Sequence, residues 1–132
     1  MRKSPFLSDI AKQYDPKIDH VSFCLPGLIE NCNGQVFARK SVEEYRILID
    51  ENLLFCANRV LWVFFHEVGH IVLGHLKLTD SERFSKKLKL EGAADEWAFN
   101  QMGIFDNQGQ VKNIPCFNCI KDFSLKCRKE FK

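Results

Sequence analysis

The chain has 132 residues, 45% of them hydrophobic and 27% charged, and a formal net charge of +2. That length fits one domain, or one domain and a short tail, and the composition excludes a disordered chain, a fibrous repeat and a two-domain cofactor enzyme. Near-neutral charge argues against a uniformly basic nucleic-acid binder, so direct nucleic-acid binding is not expected.

Residues 4–14 place Ile10, Ala11 and Tyr14 at helical spacing, and Pro16 disfavours helix at the residue before it. Short strands are expected at 21–25, 35–39 and 45–50. Pro26-Gly27 and residues 31–34 between them supply turn chemistry. The last of these, Tyr45-Arg-Ile-Leu-Ile-Asp50, mixes aromatic and β-branched residues and is the best strand. The apolar-rich stretch from about Asn52 to His75 is too long for a strand and is expected to be a buried central helix. It should end at Gly74 or just after His75. A polar connection over 77–87 leads to a second helix over 85–102, with Gly103 as its stop. The longest unbroken apolar run, 60–65, is far below the roughly 20 residues that span a bilayer. No membrane association is expected. No apolar stretch follows the basic start MRKSPFLSDIAKQYD, so a signal peptide is not expected and the cytoplasm is the expected compartment.

His66-Glu67-Val68-Gly69-His70 is an H-E-x-x-H motif inside the central helix. Composition alone would place such a motif by chance in about one per cent of chains like this one. Four residues apart, His66 and His70 share one helical face and can bind one zinc ion, with Glu67 beside the metal as general base. His75 lies about 140° further round the helix, so a structural role or a contact to a ligand is expected rather than ligation. A catalytic zinc needs a third ligand. Glu91 is the best candidate, on the second helix beside the small residues Ala93, Ala94 and Ala98 that permit close packing. Asp95, one turn on, can accept the remaining N–H of a zinc-bound histidine. The alternative for both carboxylates is a solvated helix surface.

HEVGH followed by Glu91-Gly-Ala-Ala-Asp95 is a gluzincin pattern, and with the strand ILIDENL before the helix it resembles the ImmA/IrrE family of small phage- and mobile-element-linked metallopeptidases. The resemblance covers about residues 20–102. It implies an α+β zincin-like domain, its HExxH helix packed on a second helix and a small sheet. It also implies His66, His70 and Glu91 as zinc ligands and limited cleavage of a protein substrate of the transcriptional-repressor type by zinc-activated water. Ala93, Asp95 and Trp97 depart from the usual ExEANxFA text. Asp95 is closer to the membrane-bound HtpX/Ste24 group, against which the lack of spans argues. A non-catalytic zinc module that sequesters a regulator is the alternative function. For the oxyanion, Tyr45, His20 and Arg59 stay undistinguished.

The expected organisation is a metallopeptidase domain over 1–110 and a basic tail over 111–132. The tail carries six Lys/Arg against two Asp/Glu. It reads either as a recruiter of an acidic partner or as a solvated terminus packed by Phe117, Ile120 and Phe123. Cys116, Cys119 and Cys127, with a fourth ligand from Cys24 or Cys32, suit a second, structural zinc. Reduced thiols or a redox pair are the other readings. Cys56 reads as a core residue.

Overall fold

The computed structural model describes residues 2–29, 33–39, 41–55 and 57–102. In chain order they form β1 (Arg2–Lys3), α1 (Pro5–Tyr14), β2 (Ile18–Cys24), β3 (Gly34–Arg39), β4 (Glu44–Asp50), α2 (Ala57–Val72), α3 (Asp80–Ser85) and α4 (Lys87–Gln101). The strands make one mixed sheet in the order β1-β2-β4-β3, so the expected α+β class is the one observed. β4 runs parallel to β2 and antiparallel to β3.

The two edges of this sheet differ. On the β2 side, β1 pairs with Ser22 and Phe23, and α1 takes over where β1 stops. Ser4 N–H donates to the Val21 carbonyl at 2.7 Å, and Ser8 Oγ accepts from Val21 N–H at 2.9 Å. Ser4 also caps α1 by accepting from Leu7 N–H, and Pro5 occupies the first turn, where no backbone N–H is needed. Leu7 and Ala11 then point into the core. On the other side β3 pairs with β4 alone among the described residues, so one edge of the sheet is left open.

α2 lies over the sheet. Val60, Val63, Phe64, Val68 and Ile71 recur at helical spacing and are buried against Val21, Phe23, Ile47 and Ile49. β3 approaches α2 closely at Gly34, where a Cβ would sit 2.5 Å from Val63 Cγ1 and 3.1 Å from Glu67 Cγ. Only glycine lets the edge strand run this near the HExxH helix.

Three sequence expectations shift. β2 begins at Ile18 rather than at residue 21, extended by its parallel register with Tyr45 and Arg46 of β4. The stretch from Asn52 to His75 is not one helix. It opens with a 3-10 turn over Glu51–Phe55, started by Asp50 Oδ1 accepting from Asn52 N–H at 2.9 Å. α2 then stops at Val72, because Gly74 adopts a left-handed φ of 77° and redirects the chain into a 3-10 turn at His75–Lys77. The polar connection holds α3, started by a capping box in which Thr79 and Glu82 satisfy each other's backbone N–H. The 110/111 boundary and Cys32, Cys56, Cys116, Cys119 and Cys127 lie outside the described residues. Cys24 is buried with Ile29 and Leu48, its thiol 3.6 Å from the Ile49 carbonyl. Among the described residues no helix is long and apolar enough to cross a membrane.

Candidate metal centre

α2 and α4 together build the site. They can approach closely because Gly69 faces Ala94, and Ala94 and Ala98 are fully buried. That contact brings Glu91 across to the two histidines one turn apart on α2. His66 Nε2 lies 2.8 Å from Glu91 Oε2 and 3.0 Å from His70 Nε2. His70 Nε2 lies 3.3 Å from Glu91 Oε1. His66 Nδ1 points at Asp95, which leaves its Nε2 lone pair facing His70 Nε2 and the Glu91 carboxylate, so acceptors crowd one point and protons alone satisfy this cluster poorly. A cation at the common centre accepts one lone pair from each residue and removes the conflict. Four-coordinate bonds of about 2.1 Å imply ligand separations of about 3.4 Å, close to those found. His66, His70 and Glu91 therefore fit a metal ion, and no other such group is present among the described residues.

Each histidine has its other nitrogen anchored. His66 Nδ1 lies 2.6 Å from Asp95 Oδ1, the contact expected from the i, i+4 spacing of Glu91 and Asp95. His70 Nδ1 lies 2.8 Å from His75 Nδ1. The break at Gly74 makes this second contact: it turns the buried His75 back toward α2, where a continued helix would have carried it away. With Nε2 of His70 committed to a metal, its Nδ1–H donates to His75, which must then hold its own hydrogen on Nε2. Trp62, one turn before His66, stacks beside its ring at a centroid distance of 6.5 Å.

Burial sets the charge states. It pushes His70 down to about 4, against the opposing pull of Glu91, so the ring is neutral and able to ligate near pH 7. Burial also lowers His75. Glu67 is pushed up to about 8, first by burial and then by the nearby Glu91 charge. A dication in the cluster would reverse that pressure and favour the carboxylate.

Replacing Asp95 with Ala should weaken metal binding about 10–100-fold, and His75→Ala should act in the same direction. Competition against a chelating dye measures this. Unchanged affinity in both variants would mean the outer contacts do not orient the ligands.

The cluster lines a cleft of about 590 Å³, between the edge of the sheet at Gly34–Val36 and a wall formed by α3 and the start of α4. Glu67 lines it, whereas Tyr45, His20 and Arg59 do not. The wall residues Arg83, Phe84 and Lys87 were not expected from the sequence, which gave 77–87 only as a polar connection. The alternation of bases and apolar residues in RFSKKLKL was the available signal.

The Peptidase U49 family matches residues 25–116, more than half of the chain. The chain belongs to the Peptidase U49 family. It is therefore a peptidase, in keeping with the hydrolytic chemistry the HExxH motif suggested. In this U49 peptidase the matched stretch takes in β3, β4, α2, α3 and α4, and so both walls of the cleft and every residue of the cluster. β1, α1 and β2, which close the opposite sheet edge, precede it. No curated protein and no solved structure matches the chain.

Proposed function

We propose that this U49 peptidase is a zinc-dependent endopeptidase, akin to the ImmA/IrrE enzymes of phages and mobile elements. On this reading it makes a limited cut in a repressor-type regulator in the cytoplasm. The observation that carries the proposal is the convergence of His66, His70 and Glu91 on one point, with Glu67 beside them in a cleft open along β3.

His66, His70 and Glu91 would hold the zinc. When bound, zinc supplies a Lewis acid that acidifies water and polarises a peptide carbonyl. Glu67 takes a proton from the attacking water on its carboxylate and passes it to the leaving amine nitrogen, which restores the carboxylate after the C–N bond breaks. Asp95 and His75 hold the two rings in the tautomers that keep both Nε2 lone pairs free. A substrate strand can lie along the edge of β3, which pairs with β4 alone among the described residues and so can offer backbone hydrogen bonds to any sequence. The cleft has the size of a site for a drug-like molecule, enough for a few residues in extended form. This favours a cut in an exposed segment over general degradation.

Metal analysis and a search for new N-termini test the proposal together. One zinc per chain is expected in the wild type, retained in Cys116→Ala and lost in Glu91→Ala. New N-termini should arise in a cellular extract only with the wild type. No zinc after reconstitution, or zinc lost only with the cysteine, would overturn the metal assignment. Zinc at full occupancy with no cleavage of any protein would overturn the enzymatic assignment in favour of a sequestering module.

A further inference from the structure

Gly34 opens β3, although strands disfavour glycine and its φ lies outside the left-handed region that would call for it. The reason is space. A Cβ there would meet Val63 Cγ1 at 2.5 Å, Glu67 Cγ at 3.1 Å and the Leu48 carbonyl oxygen of β4 at 3.3 Å. Val63 belongs to the core, and its half of this contact is packing. The Glu67 half is different. Glu67 is buried and lines the cleft, yet no described residue hydrogen-bonds to its carboxylate. The neighbouring rings of His66 and His70 are each anchored through Nδ1, by Asp95 and His75. Glu67 has three side-chain torsions and no such polar anchor among the described residues, so packing on its stem sets where the carboxylate points.

We propose that Gly34 is the positioning residue of the general base: its bare backbone lies against the Glu67 stem and holds the carboxylate in the cleft beside His66, His70 and Glu91. The proposal rests on the reading of Glu67 as base. Val63 and Glu67 are one turn apart on α2, so a single strand residue touches both. The Val63 contact sets how near β3 comes, and the Glu67 contact uses that nearness. A methyl group at this position must displace something. At 2.5 Å from Val63 Cγ1 it moves the strand or the valine outright, and at 3.1 Å from Glu67 Cγ it shifts the stem by a few tenths of an ångström. A proton passes to Glu67 over a hydrogen bond, and such a transfer tolerates little displacement of the accepting oxygen. The three atoms nearest to a Cβ at Gly34 belong to Val63, Glu67 and Leu48, so none comes from the ligand set. Gly34 therefore acts on the base and not on the metal ligands.

The test compares Gly34→Ala, Val63→Ala and the double variant in the full-length protein. Zinc content, thermal unfolding and the rate at which new N-termini form in a cellular extract are read for each. Gly34→Ala is expected to melt below the wild type, to keep one zinc per chain, and to slow every cut by about tenfold or more, as small displacements of a catalytic group do. In the double variant the space left by Val63 Cγ1 accepts the new methyl group. Its melting temperature should return to that of Val63→Ala, whereas cleavage should stay low, because the methyl still presses on Glu67 Cγ. Cleavage that recovers together with the melting temperature would make Gly34 a packing residue only and overturn the proposal. So would undiminished cleavage in Gly34→Ala, or zinc lost in step with cleavage. A second comparison needs neither zinc nor turnover. Gly34→Ala should lower the melting temperature less in a Glu67→Ala background than in the wild type, since no Cγ is left to press on. An equal loss in both backgrounds would overturn the contact, whatever the enzyme cleaves. A smaller loss in Glu67→Ala with no cleavage by the zinc-loaded wild type would leave Gly34 as the residue that holds Glu67 and sink the enzymatic reading alone.

Discussion

Glu67→Gln is expected to keep one zinc per chain while lowering cleavage by about 10²–10⁴-fold, the range a positioned general base contributes. The substitution keeps the shape of a side chain that is only 7% exposed, so the cleft wall at Gly34 and Val63 is undisturbed. What is lost is the ability to take a proton. The amide also removes the burden of a buried carboxylate, which burial and the Glu91 charge both oppose. The metal-free variant should therefore melt above the metal-free wild type. Metal analysis, cleavage assays and thermal unfolding separate these effects. Zinc loss in Glu67→Gln would make Glu67 a ligand, and undiminished cleavage would remove it from the reaction.

The opposite sheet edges explain why the cleft opens where it does. Ser4 and Ser8 consume the backbone groups of Val21 next to β1, so β1 and the start of α1 cover β2 over residues 21–23. Among the described residues β3 pairs with β4 alone, and it passes Glu67 at the distance Gly34 allows. An open edge is a liability in most proteins; here a cleft wall built by α3 and the start of α4 faces it.

The meeting of His66, His70 and Glu91 was legible because its spacing is local. HEVGH and Glu91–Asp95 each depend on one helical turn, and i, i+4 geometry holds wherever a helix forms. Their meeting depended on Ala94 and Ala98, small residues visible in the sequence. Less legible were features set by single backbone angles or by distant partners. Gly74 could end the helix or be tolerated inside it. Its left-handed φ, and with it the turn of His75 back to His70, is decided by the packing after Val72. β1 is two residues long, too short for any alternation to show, and exists only because β2 offers a partner. Thr79-Asp-Ser-Glu82 was a readable capping box, hidden because the charges around it suggested a connection. The wall residues Phe84 and Lys87 looked like solvated surface until α4 was placed across from β3.

Replacing Gly69 with Leu should remove most of the metal. Gly69 is an unfavourable choice for helix interior, disfavoured by about 1 kcal/mol relative to alanine, and its presence next to His70 requires a reason. α4 supplies it: a Cβ at Gly69 would lie 3.1 Å from Trp97 Cε3 and 3.4 Å from the Ala94 carbonyl. Alanine would already press on the indole. A leucine side chain has no room and must push the two helices apart or twist them, with an overpacking penalty of about 1–3 kcal/mol. Glu91 sits three residues from Ala94 on the displaced helix, and its carboxylate would leave the two imidazoles. The expected result is a folded protein of lower melting temperature with less than about one tenth of the wild-type zinc, given that loss of one of three ligands leaves only two. Gly92→Ala provides the contrast. It lies next to Glu91 on the same helix, but a Cβ there meets nothing within 4 Å. It should raise stability by about 0.5–1 kcal/mol and leave zinc at one per chain. Metal content and thermal unfolding of the two variants decide the matter: full zinc in Gly69→Leu would show that the α2–α4 contact does not position Glu91, and zinc loss in Gly92→Ala would tie Glu91 to helix dynamics rather than to packing.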